Sequence, residues 1–200
     1  MIIESTSDTK LELLELILTR RSVGKVLPDP VPRELVEQLL AAAVEAPNHK
    51  LTLPWRFWVL AGGARDALGE LMAAAVAKGL TDPESDVGRV QIAAARSKAL
   101  RAPVLVVVGV MHETEDPAVR WENVLAGAAA IENLLLAAHA LGLGAMWRTG
   151  VFAYDPEVKA HFGLARDDDL IGFVYVGRPA IEPAAQLREF ETRTEWRGWE

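Results

Sequence analysis

The sequence predicts an α+β domain, a small mixed sheet wrapped by helices that outnumber its strands. Three observations lead there. Val104-Leu105-Val106-Val107-Val108-Gly109-Val110 is a continuous, mostly β-branched run, apolar toward both faces, which places it at the centre of a sheet. Ala118 to Leu141 contains no proline and is rich in leucine and alanine, so a single long helix spans it. Around these two stretches strands and helices alternate, with two helices ahead of the first strand.

The remaining elements follow in order. Asp8 or Thr9 caps a first helix with Leu11, Leu14, Ile17 and Leu18 at helical spacing, and Thr19-Arg20-Arg21-Ser22 ends it. Val23 to Val31, with Pro28 and Pro30, is a loop. Pro32 opens a second helix at the first-turn position, and Pro47 ends it. Asn48 to Pro54 is again a loop. Phe57 to Leu60 reads as a short strand closed by Gly62-Gly63, and Ala64 to Ala77 as a third helix. Asp82-Pro83 caps a fourth helix running to Lys98. Asp116 and Pro117 supply an N-cap and a first-position proline for the long helix, and Gly142 stops it. Ala145-Met146-Trp147 is a short strand, Asp155-Pro156 caps a helix ended by Gly163, and Leu170 to Val176 is the last strand. The tail from Arg178 is polar, but Trp196 and Trp199 need a surface to cover.

The long helix is about 35 Å at 1.5 Å per residue. Its apolar residues, among them Leu125, Ile131, Leu134, Leu135, Leu136 and Leu141, cover most of its circumference. Such a helix is buried on nearly every face, in a core or between subunits. Glu122, Glu132, Asn133 and His139 interrupt it, so no uncharged run approaches the ~18 residues of a membrane span, and no membrane is expected. The small residues Ala126 to Ala130 let another backbone or a flat ligand come close.

Composition narrows the function. At 200 residues the chain is read as one domain, residues 1–200, and half its residues are hydrophobic. The net charge of −7 argues against nucleic acid, and an anionic ligand must rely on local positive charge. With no cysteine, disulfides, thiolate nucleophiles and cysteine-bound metals are excluded. That fits a cytoplasmic protein, as does the stretch from Met1 to Asp8, which lacks the pattern of a signal peptide. Histidines 49, 112, 139 and 161 are too scattered for a metal site. There is no G-x-S-x-G, H-E-x-x-H or P-loop, and Gly142-Leu143-Gly144 follows a helix where a dinucleotide loop must follow a strand.

What remains is polar residues at the ends of apolar elements. Arg20-Arg21-Ser22 either complements the dipole of the first helix, worth ~0.3–1 kcal/mol, or offers a guanidinium fork and hydroxyl to a phosphate or heterocycle. Trp147-Arg148-Thr149-Gly150 follows a buried strand, and His49 lies in a proline-flanked loop.

Taken in order, these segments resemble the nitroreductase family, and within it the short NAD(P)H nitroreductase subgroup. The resemblance rests on Arg20-Arg21-Ser22, on Ala46-Pro47-Asn48-His49-Lys50 with Pro54-Trp55-Arg56-Phe57, on Arg101-Ala102-Pro103 and Arg120-Trp121-Glu122, and on Trp147-Arg148-Thr149-Gly150 with Ile171 to Pro179. It implies a nitroreductase-like fold and an intertwined homodimer whose long helices pack across the interface and whose terminal segments exchange. It also implies FMN sites between subunits. Arg20, Arg21 and Ser22 would hold the flavin from one subunit, His49 would reach it from the other, and Trp147, Arg148 and Thr149 would close the site. Ala137, Ala138, His139, Ala140, Leu141 and Gly142 correspond to a nicotinamide-nucleotide segment.

The implied activity is ping-pong hydride transfer from NADH or NADPH, through FMN, to nitroaromatics, quinones or similar acceptors. No side chain is then a catalytic acid, base or nucleophile. A flavin-binding dimer without turnover, or a flavin dehydrogenase of another metabolite, are the alternatives. Three positions depart from the family pattern: Leu53 replaces a common glutamine, Glu45 a basic residue, and Gly24 a lysine of larger members. By the same resemblance, a charge at Ala129 or Leu135 is expected to abolish folding or dimer formation, and FMN binding with it.

Overall fold

The computed structural model describes residues 7–184, 186 and 188–199, with side chains in the first helix from Glu12 onward. The reading of Met1 to Asp8 and the capping of the first helix fall on side chains outside that set. The described chain runs α1 (Ser7–Thr19), α2 (Arg33–Ala43), β1 (Trp55–Ala61), α3 (Ala64–Gly79), α4 (Asp86–Arg96), β2 (Val104–Val110), α5 (Pro117–Ala140), β3 (Gly144–Arg148), α6 (Pro156–His161) and β4 (Asp169–Gly177).

β2 is central, as its composition requires. The four strands lie in the order β1-β2-β4-β3. Each neighbouring pair is antiparallel, so the expected mixed sheet is corrected to an antiparallel one. The reason lies in the crossover. The long helix α5 does carry the chain between two strands of the same direction, β2 and β3, but they are not neighbours. β4, returning from α6, enters between them and pairs antiparallel with both, which splits the parallel unit.

Alternation along the strands divides the core in two. Val104, Val106, Val108, Val174 and Val176 face α2 and α5, where they meet Val36, Leu39, Ala130, Ile131 and Leu134. Leu105, Val107, Phe173 and Tyr175 face the other way, onto Leu68, Met72, Ala95, Val158 and Phe162. The α4 boundary differs from expectation. Asp82 Oδ1 instead accepts from the backbone N–H groups of Glu84 and Ser85 in a turn, and Ser85 is the N-cap, accepting from Gly88 N at 3.0 Å.

α5 begins as read, with Asp116 Oδ1 accepting from Ala118 N at 2.9 Å. It ends where Gly142 turns left-handed (φ +69°) and Leu143 N donates back to Ala138 O at 2.8 Å. By length and composition alone it would suffice for a membrane span. Here it lies on the sheet. The stretch of small residues serves that packing rather than a ligand: a Cβ at Gly127 would stand 2.7 Å from both Val110 Cγ2 and Ile171 Cδ1.

Burial of α5 is also less intermolecular than expected. Leu135 belongs to the protomer's own core and Ala129 packs against it. A charge at either position therefore strikes this core, so of the two expected effects the loss of folding comes first. The open side of the helix is a narrower stripe, with Trp121 63% and Leu125 50% exposed. Leu13, Leu14, Ile17 and Leu18 of α1 are exposed too.

Candidate functional site

The polar residues that interrupt α5 are not idle. Each ties the helix to another segment, as a polar group in an apolar setting must. Near its start, Glu122 Oε2 meets His49 Nδ1 at 2.6 Å, and buried Asn123 accepts from Thr52 Oγ1 at 2.9 Å. In its second half, Glu132 Oε1 lies 3.2 Å from Arg20 Nε, and Asn133 Nδ2 donates to Ala42 O at 3.1 Å. At its end, His139 Nε2 is 3.0 Å from Thr19 Oγ1. Thr19 spends its one proton on Glu15 O at 2.7 Å, so the imidazole N–H donates to Thr19. The first of these links bind the 48–53 loop, while Glu132 and His139 hold the end of α1 and Asn133 holds the end of α2.

Arg20 is mostly buried, its side chain 14% exposed. Among the described residues its Nη1 has neither a partner nor solvent contact, and the same holds for Arg21 Nε. Leaving a buried charged donor unmatched costs more than the ~1–3 kcal/mol of a neutral group. Two such atoms on consecutive residues mark a place where an acceptor fits. Arg21 otherwise works on backbone, donating to Leu18 O at 2.7 Å, Arg20 O at 2.8 Å and Gln186 O at 3.0 Å. It therefore closes the carbonyl end of α1 and holds the segment after β4.

The chain continues from Ser22 along the sheet edge, where Val23 N donates to Ala145 O at 2.9 Å. This brings Gly24 against β3. A Cβ on Gly24 would lie 3.2 Å from Met146 Sδ and 3.8 Å from Arg148 Nη2. The Arg148 side chain thus comes up beside Gly24. Exposed Ser22 follows Arg20 and Arg21 in sequence, and exposed Thr149 follows Arg148. Trp147 has a packing task, its Nε1 donating to Ile171 O at 3.0 Å across the face of Gly172.

Of the 137–142 segment, His139 and Gly142 line a cavity of about 440 Å³ with Arg21, Val23 and Leu135, roofed by Pro179 to Pro183. Ala138 is fully buried beneath it. This is the negative end of the α5 dipole, so a phosphate here depends on Arg21 for its countercharge.

One expected neighbour is elsewhere. His49 pairs with Glu122 and Arg20 with Glu132, ten positions and roughly 15 Å apart along one helix. A single protomer does not bring them together. The loop that carries His49 is unusual in itself. Lys50, Leu51 and Leu53 have φ of +59°, +51° and +46°, a region that side chains other than glycine's rarely enter. It borders a second cavity of about 300 Å³, lined by Lys50, Thr52, Leu53, Arg56, Glu113 and Asn123 among others.

Sequence reasoning missed Asn48, Thr52, Asn123 and Thr19 as members of this framework. Asn123 carried a signal, being a polar residue on the apolar side of α5. The others are loop or helix-end residues with no periodicity to expose them.

Elsewhere four groups have displaced titration, and the mutual hydrogen bonds of Glu70 and Arg96 lower the one and raise the other. Asp167 is held below the usual carboxylate range by its own backbone N–H and by the Arg120 guanidinium. Burial raises the Tyr175 phenol. The charges of Arg101 and Arg148 oppose that rise.

Comparison with known proteins agrees over most of the chain. The sequence profile of the nitroreductase family matches residues 17–178. YdjA of Escherichia coli K12, a candidate NAD(P)H nitroreductase by name, is 31% identical over 179 residues, covering 88% of this chain and 93% of its own. YfhC of Bacillus subtilis, named in the same way, is 30% identical over 177 residues, covering 88% and 89%. Among solved structures, a nitroreductase-like family protein from Bacillus cereus superposes with a TM-score of 0.78 at 26% identity, covering both chains completely. A nitroreductase with bound FMN from Bacteroides fragilis gives 0.65 at 27%, covering 94% of this chain and 96% of its own. The six motifs in their expected order, the split antiparallel sheet under one long helix, and these matches have one reading: the chain belongs to the nitroreductase family.

Proposed function

We propose that this protein is an FMN-dependent oxidoreductase, a homodimer that takes electrons from NADH or NADPH and passes them to electron-poor acceptors such as quinones or nitroaromatics. The observation that carries the reading is the pair of buried, unpartnered guanidinium nitrogens on Arg20 and Arg21. That donor set, with Arg148 approaching past Gly24, fits an anionic, hydrogen-bond-accepting cofactor. The names of the relatives support NAD(P)H as donor, and the FMN in the Bacteroides fragilis structure supports the cofactor.

When bound, FMN supplies the two-electron chemistry, taking hydride from a reduced nicotinamide and delivering it to the acceptor. The chain's own residues position and stabilise. Arg20 and Arg21 turn their free N–H groups toward the cofactor, with Glu132 fixing the Arg20 plane. Arg148, close beside Gly24, would add positive charge to offset the negative charge that a flavin gains on reduction. Ser22 and Thr149 offer hydroxyls, and Trp147 braces β3 under the site. His49, anchored on Glu122, reaches the cofactor held by the second subunit. The separation of His49 from Arg20 within one protomer supports a site completed by a partner copy. So does the exposed apolar stripe from Trp121 to Leu125 with its neighbours on α1. His139 and Gly142 then line the route by which the nicotinamide nucleotide approaches.

The test is the absorption spectrum of the purified protein, followed by NADH or NADPH and then a quinone or nitroaromatic. We expect flavin bands that bleach with the nicotinamide and return with the acceptor. A colourless protein that shows no thermal shift with FMN would overturn the reading. Flavin bands that neither nicotinamide bleaches would overturn the proposed donor.

A further inference from the structure

Three residues of one short loop, Lys50, Leu51 and Leu53, sit in left-handed backbone without a glycine among them. Each such residue costs on the order of 1–3 kcal/mol and persists only where its surroundings enforce it. The enforcing group is identifiable. Asn48 Oδ1 accepts from Leu53 N at 2.7 Å, closing the loop on itself. Asn48 Nδ2 is 3.2 Å from Thr52 Oγ1, and Thr52 Oγ1 is 2.9 Å from Asn123 Oδ1. A hydroxyl has a single proton. One assignment satisfies all three contacts: Asn48 donates to Thr52, Thr52 donates to Asn123, and Leu53 donates to Asn48. Asn123 is 3% exposed on α5, one residue from the Glu122 that pairs with His49. The relay therefore runs from the strained loop into the rigid core.

We infer that Asn48 is a positioning residue, whose carboxamide, through Thr52 and Asn123, holds the strained 48–53 loop in the shape that presents His49 to the cofactor of the partner subunit. The inference rests on the site proposed above, and deepens it. His49 itself has only one side-chain tie, to half-exposed Glu122, so its place depends on the backbone beneath it. The three left-handed residues give the loop a shape that a relaxed chain would leave. Asn48 touches no reacting atom in this account. It acts through its neighbour.

The experiment titrates FMN into cofactor-free full-length protein, following quenching of flavin fluorescence, for the unaltered chain, H49A, N48A, T52V and the double variant N48A/L51G. A parallel tryptic digestion follows cleavage after Lys50. Asn48→Ala is expected to raise the FMN dissociation constant about tenfold and to speed that cleavage, with the melting temperature of the cofactor-free protein little changed. Thr52→Val keeps the side-chain shape, breaks the tie to Asn123 and is expected to weaken FMN in the same sense. Glycine at 51 relieves the backbone penalty, so N48A/L51G should recover FMN affinity to within about threefold of the unaltered chain. A merely structural Asn48 would speed cleavage and leave FMN affinity unmoved, which overturns the inference. So does FMN binding within twofold of normal in both N48A and T52V while H49A weakens it. Failure of the unaltered chain to bind FMN overturns the proposed site itself.

Discussion

Arg20 Nε and Glu132 Oε1 meet at 3.2 Å, fastening the end of α1 to the second half of α5 and leaving Arg20 Nη1 with no partner among the described residues. The carboxylate fixes one edge of the guanidinium and leaves Nη1 for the cofactor proposed above. Replacing Arg20 with lysine keeps the charge but removes the fork. Arg20→Lys should raise the FMN dissociation constant at least tenfold in a fluorescence titration, consistent with the ~1.5–3 kcal/mol of a charge-assisted bond. Unchanged affinity would remove Arg20 from the site.

Two leucines of α5 separate folding from association. Leu135 is 5% exposed inside the protomer, whereas Leu125 is half exposed on its open stripe. Leu135→Asp should unfold the chain, since an unpaired charge buried there costs several kcal/mol. Leu125→Glu should keep native circular dichroism and shift the sedimenting species from dimer to monomer. A folded L125E dimer would place the subunit contact elsewhere.

Gly172 lies under the indole of Trp147. A Cβ there would fall 2.1 Å from Trp147 Nε1 and 2.8 Å from Arg148 O, on a backbone with φ of +154°. Gly172→Ala must push the indole off Ile171 O and disturb β3, for a loss of about 3 kcal/mol by overpacking. The melting temperature and the near-ultraviolet tryptophan signal should both fall. A variant with the native spectrum would show that β3 yields freely.

Arg120 ties the first turn of α5 to the loop before β4, its Nη1 lying 3.2 Å from Asp167 Oδ2. Asp167's folded-state value is lowered, so its stabilising contribution is complete above the ordinary carboxylate range and is lost as pH falls through the lowered value. In Arg120→Met the carboxyl should titrate closer to its ordinary range, and acid unfolding should begin at higher pH. Carboxyl-carbon NMR across the acid range measures both. The residual lowering left by Asp167's own N–H is the internal control.

Much of this molecule was legible in one dimension. Val104–Val110 declares itself a central strand because every side chain is apolar, and no other strand position tolerates that on both faces. Asp116-Pro117 and Gly142 announce the ends of α5 because capping and left-handed turns are local chemistry. The order of the motifs placed the chain in its family. Other features depend on which segments meet. The antiparallel sheet came from β4 inserting between β2 and β3, a choice among pairings that strand composition does not encode. Gly127 looked ready for a ligand and instead receives Val110 and Ile171, because the contact is made by residues distant in sequence. The orphaned nitrogens of Arg20 and Arg21, and the loop held by Asn48, exist only once burial has removed water and left each polar atom to find its partner in the fold.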